Sequence, residues 1–280
     1  MSSSTGYEID GYQSSGEMGT SVSKAGDFNG DGIGDIVFGG SRMMSNELSD
    51  SGMSFVVFGT SSLINNVDLL NLNGTNGFSI DGLRQNGRLG ESVSSVGDIN
   101  GDGLDDIALL EMEGSLGNVY VIFGTNGPIS TPFDLTSLDG LNGFKIFGAK
   151  IGGTRASTKA ISYAGDLNAD GLDDIIIGAP TESPNGQSIS GESFVIFGSK
   201  EPFNSNFDVS TIDGKNGFVI NGENARDHSG YSVSYAGDIN NDGLDDVIIG
   251  TDYNDLPFTT SGGSNYVIYG DDTIFSNKFE

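Results

Sequence analysis

Short apolar runs bounded by Gly, Asn, Asp or Ser recur along this chain in a fixed order of four. The first is Gly77–Ile80, matched by Gly143–Ile146 and Gly217–Ile220, with Gly6–Ile9 as an N-terminal version. The second is Ser92–Ser94, matched by Ser21–Ser23, Ala160–Ser162 and Ser232–Ser234. The third is Asp35–Phe38, with Asp106–Leu109, Asp174–Ile177 and Asp246–Ile249. The fourth is Phe55–Gly59, with Tyr120–Gly124, Phe194–Gly198 and Tyr266–Gly270. Runs this short, rich in β-branched and aromatic residues and flanked by turn formers, predict strands rather than helices. The third and fourth runs are apolar at consecutive positions, so both faces of each sheet need cover. Radially stacked four-stranded blades provide it, which makes the predicted fold an all-β propeller of four repeats. A sandwich, the competing all-β arrangement, would leave its outer faces wet and show cleaner alternation.

A ten-residue phrase, Gly26-Asp27-Phe28-Asn29-Gly30-Asp31-Gly32-Ile33-Gly34-Asp35, joins the second run to the third, with near-copies beginning at Gly97, Gly165 and Gly237. Its first aspartates, Asp27, Asp98, Asp166 and Asp238, lie 71, 68 and 72 residues apart, too regular for unrelated domains. The expected organisation is a single domain over 1–280, with repeats near 1–59, 60–124, 125–198 and 199–270. Residues 271–280 read as the start of a further connector, because Phe275–Phe279 is similar to Phe203–Phe207. The chain is therefore expected to be a piece of a longer one.

Counted from its first aspartate, each phrase carries side-chain oxygens at positions 1, 3, 5 and 9 and a glycine at position 6. Alternation turns successive oxygens toward one centre, the glycine permits a sharp reversal, and the carbonyl at position 7 can add a ligand. The candidate metal ligands are thus Asp27, Asn29, Asp31, Ile33 and Asp35; Asp98, Asn100, Asp102, Leu104 and Asp106; Asp166, Asn168, Asp170, Leu172 and Asp174; and Asp238, Asn240, Asp242, Leu244 and Asp246. Position 12, where a helix-loop-helix site places a bidentate glutamate, holds Phe38, Leu109, Ile177 or Ile249, so the loop closes at nine residues inside a β-hairpin. All-oxygen ligation selects a hard ion, and a flexible many-ligand geometry suits Ca²⁺ better than octahedral Mg²⁺. About four ions are expected, one per repeat, with affinities around ~10⁻⁵ to 10⁻³ M. Asp, Asn and Gly also form turns without any metal, but four copies of one spacing favour the ion. Position 8, Asp105, Asp173 and Asp245 but Gly34 in the first copy, is expected to face solvent or a neighbouring strand.

With 39 acidic and 12 basic residues, a net charge of −27 argues against nucleic-acid or anionic-membrane partners and in favour of cations. Cysteine is absent, which removes disulfides, thiolate catalysis and zinc-thiolate sites. No run approaches the length of a membrane span. His228, the only histidine, is expected to be a solvated loop residue, and no nucleophile-elbow or phosphate-loop phrase is present.

These residues resemble the FG-GAP repeat, the unit of the integrin alpha-chain N-terminal β-propeller. The naming Phe-Gly stands as Phe58-Gly59, Phe123-Gly124 and Phe197-Gly198, and Gly-Ala-Pro as Gly178-Ala179-Pro180. The Gly-Ala-Pro position departs from the pattern as Gly39-Gly40-Ser41, Leu110-Glu111-Met112 and Gly250-Thr251-Asp252. The resemblance implies that each Gly-Phe strand is the outer strand of the preceding blade. Gly6–Ile9 would then complete the last blade beside Tyr266–Tyr269, closing a four-bladed ring; the alternative is a fragment of a larger propeller, completed by further FG-GAP repeats or by self-association. The resemblance also implies metal loops on one face and ligand loops, including Leu83–Glu91, Glu111–Gly117 and Glu223–Tyr231, on the opposite one.

The reading that follows is a calcium-stabilised recognition module, extracellular or on a cell surface, serving adhesion to a protein or glycan and carrying no enzyme activity. A spacer repeat within a large bacterial surface protein is the alternative, and a hydrolase using exposed carboxylates is a third.

Overall fold

The computed structural model describes residues 6–62, 66–114, 116–151, 161–252 and 262–271. Each apolar run forms a strand, and the strands assemble into all-antiparallel blades. A short strand, β1 (Glu8–Ile9), precedes the first blade. That blade is β2 (Met18–Gly26), β3 (Asp35–Gly40) and β4 (Met53–Val57), followed by β5 (Asn66–Val67) in the connector and β6 (Gly77–Asp81), in the order β2-β3-β4-β6. The second blade is β7 (Val93–Gly97), β8 (Asp106–Glu113), β9 (Leu116–Ile122) and β10 (Gly143–Phe147). The third is β11 (Ile161–Gly165), β12 (Asp174–Ala179) and β13 (Glu192–Ile196), then β14 (Asn206–Asp208) in the connector and β15 (Gly217–Asn221). The fourth consists, among the described residues, of β16 (Ser232–Gly237), β17 (Asp246–Thr251) and β18 (Ser264–Ile268).

Each Gly-Phe strand closes the blade before it, with Val56 opposite Phe78, Val121 opposite Phe144 and Val195 opposite Phe218. The connectors add a feature absent from the sequence reading: after the Phe-Gly turn each reaches back to the preceding blade. Thus β14 pairs in parallel with β10, and Phe133 bridges Ile80. By the same rule β1 pairs in parallel with β5, Glu8 opposite Asn66. Gly6–Ile9 thus stands as the outer strand of a preceding blade, as expected, but the expected closure onto the last blade is corrected: among the described residues β1 pairs only with β5, and β18 only with β17.

The consecutive apolar residues do cover both faces. Val37, Val56, Phe78 and Ile80 of the first blade pack on Ile107, Leu109, Tyr120 and Ile122 of the second. The second blade's other face, Ala108, Leu110, Val119 and Val121, packs on Ile175, Ile177, Phe194 and Ile196 of the third. Connector aromatics seal the rim, with Phe203 stacked on Phe144 at 4.2 Å.

The innermost strands carry serine for a local reason. Their edges are not paired within a blade, and an unpaired buried donor is costly. Ser21 and Ser23 accept from the amides of Val93 and Ser95, and Ser162 accepts from Tyr235, so hydroxyls stitch one inner strand to the next. Inner-strand residues of all four blades, among them Ser21, Ser92, Ser162 and Ser234, line a cleft of about 390 Å³.

Candidate metal centre

The phrase between the two inner strands of each blade folds as the sequence predicts, with the position-6 glycines, Gly32, Gly103, Gly171 and Gly243, at φ between 82° and 94° or, for Gly171, 81°. A side chain there would be strained. In the second loop Asp98 accepts from the amides of Asp102 and Gly103, Asn100 accepts from Asp102, and Asp102 accepts from Leu104. The Asn100 amide donates to Asp102 Oδ2 at 3.0 Å. Asp166, Asn168 and Asp170, and Asp238, Asn240 and Asp242, repeat the pattern. The side chains of positions 1, 3 and 5 are thus gathered around the amides of positions 5 to 7. The position-7 residues, Ile33, Leu104, Leu172 and Leu244, donate their amides into this ladder.

Position 9 does something the sequence did not disclose. Asp35 accepts from Phe28 and from Gly59; Asp106 from Ile99 and Gly124; Asp174 from Leu167 and Gly198; Asp246 from Ile239 and Gly270. Each buried carboxylate therefore clasps its own loop to the glycine of the Phe-Gly turn. Burial pushes the Asp35 carboxyl up to about 6, and those of Asp106 and Asp174 up to about 8, against the lowering effect of the backbone donors.

Position 8 reaches further than expected. Asp105 Oδ2 accepts from the Asp27 amide at 2.8 Å, Asp173 from Asp98 at 2.7 Å and Asp245 from Asp166 at 3.0 Å. Each acid thus crosses to the acidic loop of the preceding blade. Tyr163 and Tyr235 hold the second oxygen of Asp173 and Asp245, at 3.0 and 2.7 Å. The sequence held a signal for this: the acid is present in the second, third and fourth copies, each of which packs on the blade before it, and is Gly34 in the first.

Among the described residues no three acidic or imidazole side chains converge into a metal-binding group. One observation nonetheless fits a cation. Asp27 Oδ1 is buried and accepts no hydrogen bond, whereas the corresponding oxygens of Asp98, Asp166 and Asp238 each take the position-5 amide. An unpaired buried carboxylate oxygen is costly, and a hard cation is the partner that oxygen-only surroundings select.

At the opposite end of the blades, Glu111 occupies the second copy's Gly-Ala-Pro position. Fully buried, it accepts from the amides of Leu83 and Arg84, from the Arg84 guanidinium at 3.0 Å and from Tyr120 at 2.9 Å. This clamp sets Arg84 at the rim of a cleft of about 560 Å³ shared with Asn86, Arg88, Glu91 and Met112. His228 is not the solvated residue expected: its Nδ1 lies 2.6 Å from Asp252, and both side chains are mostly buried.

Comparison with known proteins agrees with this geometry. The FG-GAP repeat family matches residues 89–122 and 162–196. The chain is 31% identical over 247 residues to integrin alpha pat-2 of Caenorhabditis elegans, covering 83% of this chain and 18% of that protein. It is 28% identical over 176 residues to integrin alpha-4 of Xenopus laevis (62% of this chain, 15% of the relative) and 34% over 176 residues to integrin alpha-IIb of Mus musculus (58% and 14%). The chain therefore spans less than a fifth of the length of these curated relatives. The chain thus carries FG-GAP repeats, matched in its second and third blades, and is similar to the integrin alpha chains.

Proposed function

We propose that this chain is a calcium-binding recognition module of an extracellular or cell-surface protein, acting in adhesion and not in catalysis. Positions 1, 3, 5, 7 and 9 of each loop would hold one Ca²⁺, through side-chain oxygens and the position-7 carbonyl. The position-9 carboxylate oxygens each accept one amide and keep a second acceptor direction. Bound calcium would supply positive charge to loops that each carry aspartates at positions 1, 5 and 9. The buried, unpaired Asp27 Oδ1 carries this reading. The ligand, a protein or glycan, would meet the opposite end of the blades, where Arg84 and Arg88 place positive charge in an otherwise acidic molecule. The resemblance to integrin alpha chains supports adhesion, and a single histidine held by Asp252 supports a non-enzymatic role. Thermal unfolding of the chelated and calcium-saturated protein tests the proposal. Calcium at a hundredfold excess over its dissociation constant adds about 2.7 kcal/mol per site, and the midpoint rises accordingly. Coincident unfolding curves would remove calcium from the account.

A further inference from the structure

The acidic loops of neighbouring blades are joined residue to residue. The position-8 acid of one blade holds the position-1 residue of the blade before it by two hydrogen bonds, one in each direction. Asp105 Oδ2 accepts from the Asp27 amide at 2.8 Å, while the Asp105 amide donates to the Asp27 carbonyl at 3.3 Å. Asp173 and Asp98 make the same pair at 2.7 and 3.4 Å, and Asp245 and Asp166 at 3.0 and 3.3 Å. The glycine before each position 1 makes room for this: a Cβ on Gly26, Gly97 or Gly165 would stand within 2.2 Å of the arriving carboxylate. In the first two loops side chains meet the neighbour as well. A Cβ at position 4, on Gly30 or Gly101, would lie 2.9 Å from Leu104 Cδ2 or 2.8 Å from Leu172 Cδ2, at position 7 of the next loop.

Position 8 is flanked in the chain by positions 7 and 9, both candidate ligands of its own loop, and position 1 is a candidate ligand of the loop before. A displacement at one end is therefore delivered to the other through a planar peptide unit and a pair of hydrogen bonds. Holding an ion requires such a displacement. Among the described residues no three acids converge, so positions 1, 5 and 9 of a loop must draw together. A loop that has done so fixes the residue it shares bonds with, and the neighbouring loop has less conformational freedom left to lose. Ions in adjacent loops would repel each other, and the position-8 carboxylate, bonded to one loop and built into the next, offsets that repulsion with negative charge.

Resting on the calcium reading above, we propose that the four loops bind calcium cooperatively, each occupied loop raising the affinity of its neighbours through Asp105, Asp173 and Asp245.

The amides of Gly32, Gly103, Gly171 and Gly243 each donate to the position-1 carboxylate of their own loop, so their NMR signals report the four loops separately in a calcium titration of the whole chain. Asp102→Ala, which disables the second loop, raises the calcium midpoints at Gly32 and Gly171 by roughly fivefold. In an Asp105→Gly background, which copies the Gly34 of the first loop, the effect at Gly32 disappears and the effect at Gly171, carried by Asp173, remains. Should that background fail to fold, Asp242→Ala with and without Asp245→Gly, read at Gly171, makes the same comparison. Midpoints at Gly32 and Gly171 unchanged or lowered by Asp102→Ala overturn the coupling, and an effect at Gly32 that survives Asp105→Gly overturns the route through position 8. No calcium-dependent shift at any of the four glycines would remove the calcium reading itself, and this inference with it.

Discussion

Replacing Asp173 by alanine removes the acid that joins the third blade to the second. Two donors lose their acceptor at once: the Asp98 amide at 2.7 Å and the Tyr163 hydroxyl at 3.0 Å. Hydrogen bonds to a charged group contribute about 1.5–3 kcal/mol each, and because Asp173 is only half-buried the pair together is expected to cost about 2–4 kcal/mol. Asp105→Ala removes the same inter-blade bond, from Asp27, but no tyrosine, so its expected cost is about 1.5–3 kcal/mol. Gly34→Asp introduces the acid where, among the described residues, an added Cβ meets nothing within 4 Å, so in this chain the change stays within about 0.5 kcal/mol. Urea unfolding followed by circular dichroism, in saturating calcium, gives the three values directly. The order Asp173 greater than Asp105 greater than Gly34 is the prediction. An Asp105→Ala loss equal to or above that of Asp173→Ala would refute the role given to Tyr163, and Gly34→Asp stabilising by a kilocalorie or more would refute the open space found beside Gly34.

Further outcomes follow from the same geometry. Glu111→Ala leaves the Arg84 guanidinium, two amides and the Tyr120 hydroxyl without their buried acceptor, and a loss of about 3–5 kcal/mol in denaturant unfolding is expected. Asp174→Ala strips the acceptor from Leu167 and Gly198 and destabilises the chelated protein by about 2 kcal/mol or more, whereas Asp170→Ala weakens calcium binding with a smaller effect once calcium is removed; calorimetry beside unfolding separates the two. Phe144→Ala, which empties the stack under Phe203, costs about 3–5 kcal/mol by the same assay. In the chelated protein, carboxyls raised to about 6 and about 8 bind protons more tightly folded than unfolded. Their contribution is full below the unfolded carboxylate range near pH 4 and is lost as pH rises through 8, so the chelated midpoint falls over that window.

The strands and blades were legible because each apolar run carries its own turn residues and recurs with a fixed period. The reversal at loop position 6 was legible too, since a left-handed φ is needed there and glycine supplies it. What the sequence hid depends on contacts between repeats. Nothing local says that Asp106 clasps Gly124, eighteen residues on, or that Asp173 reaches Asp98 in another blade. The pairing of Gly6–Ile9 with the last blade failed for the same reason: a two-residue strand carries no pairing preference, and among the described residues it meets only β5 of the first connector. Glu111 announced itself only as a departure from Gly-Ala-Pro; its meaning lies in Tyr120 and Arg84, which fold brings to it.

Calorimetric titration of the chelator-stripped protein with Ca²⁺ tests the central claim most directly. The account predicts a stoichiometry near four with dissociation constants around ~10⁻⁵ to 10⁻³ M, falling to two when Asp170 and Asp242 are both changed to alanine. Absence of saturable binding up to roughly millimolar calcium would contradict it and leave the four acidic loops as turns held by their own hydrogen bonds.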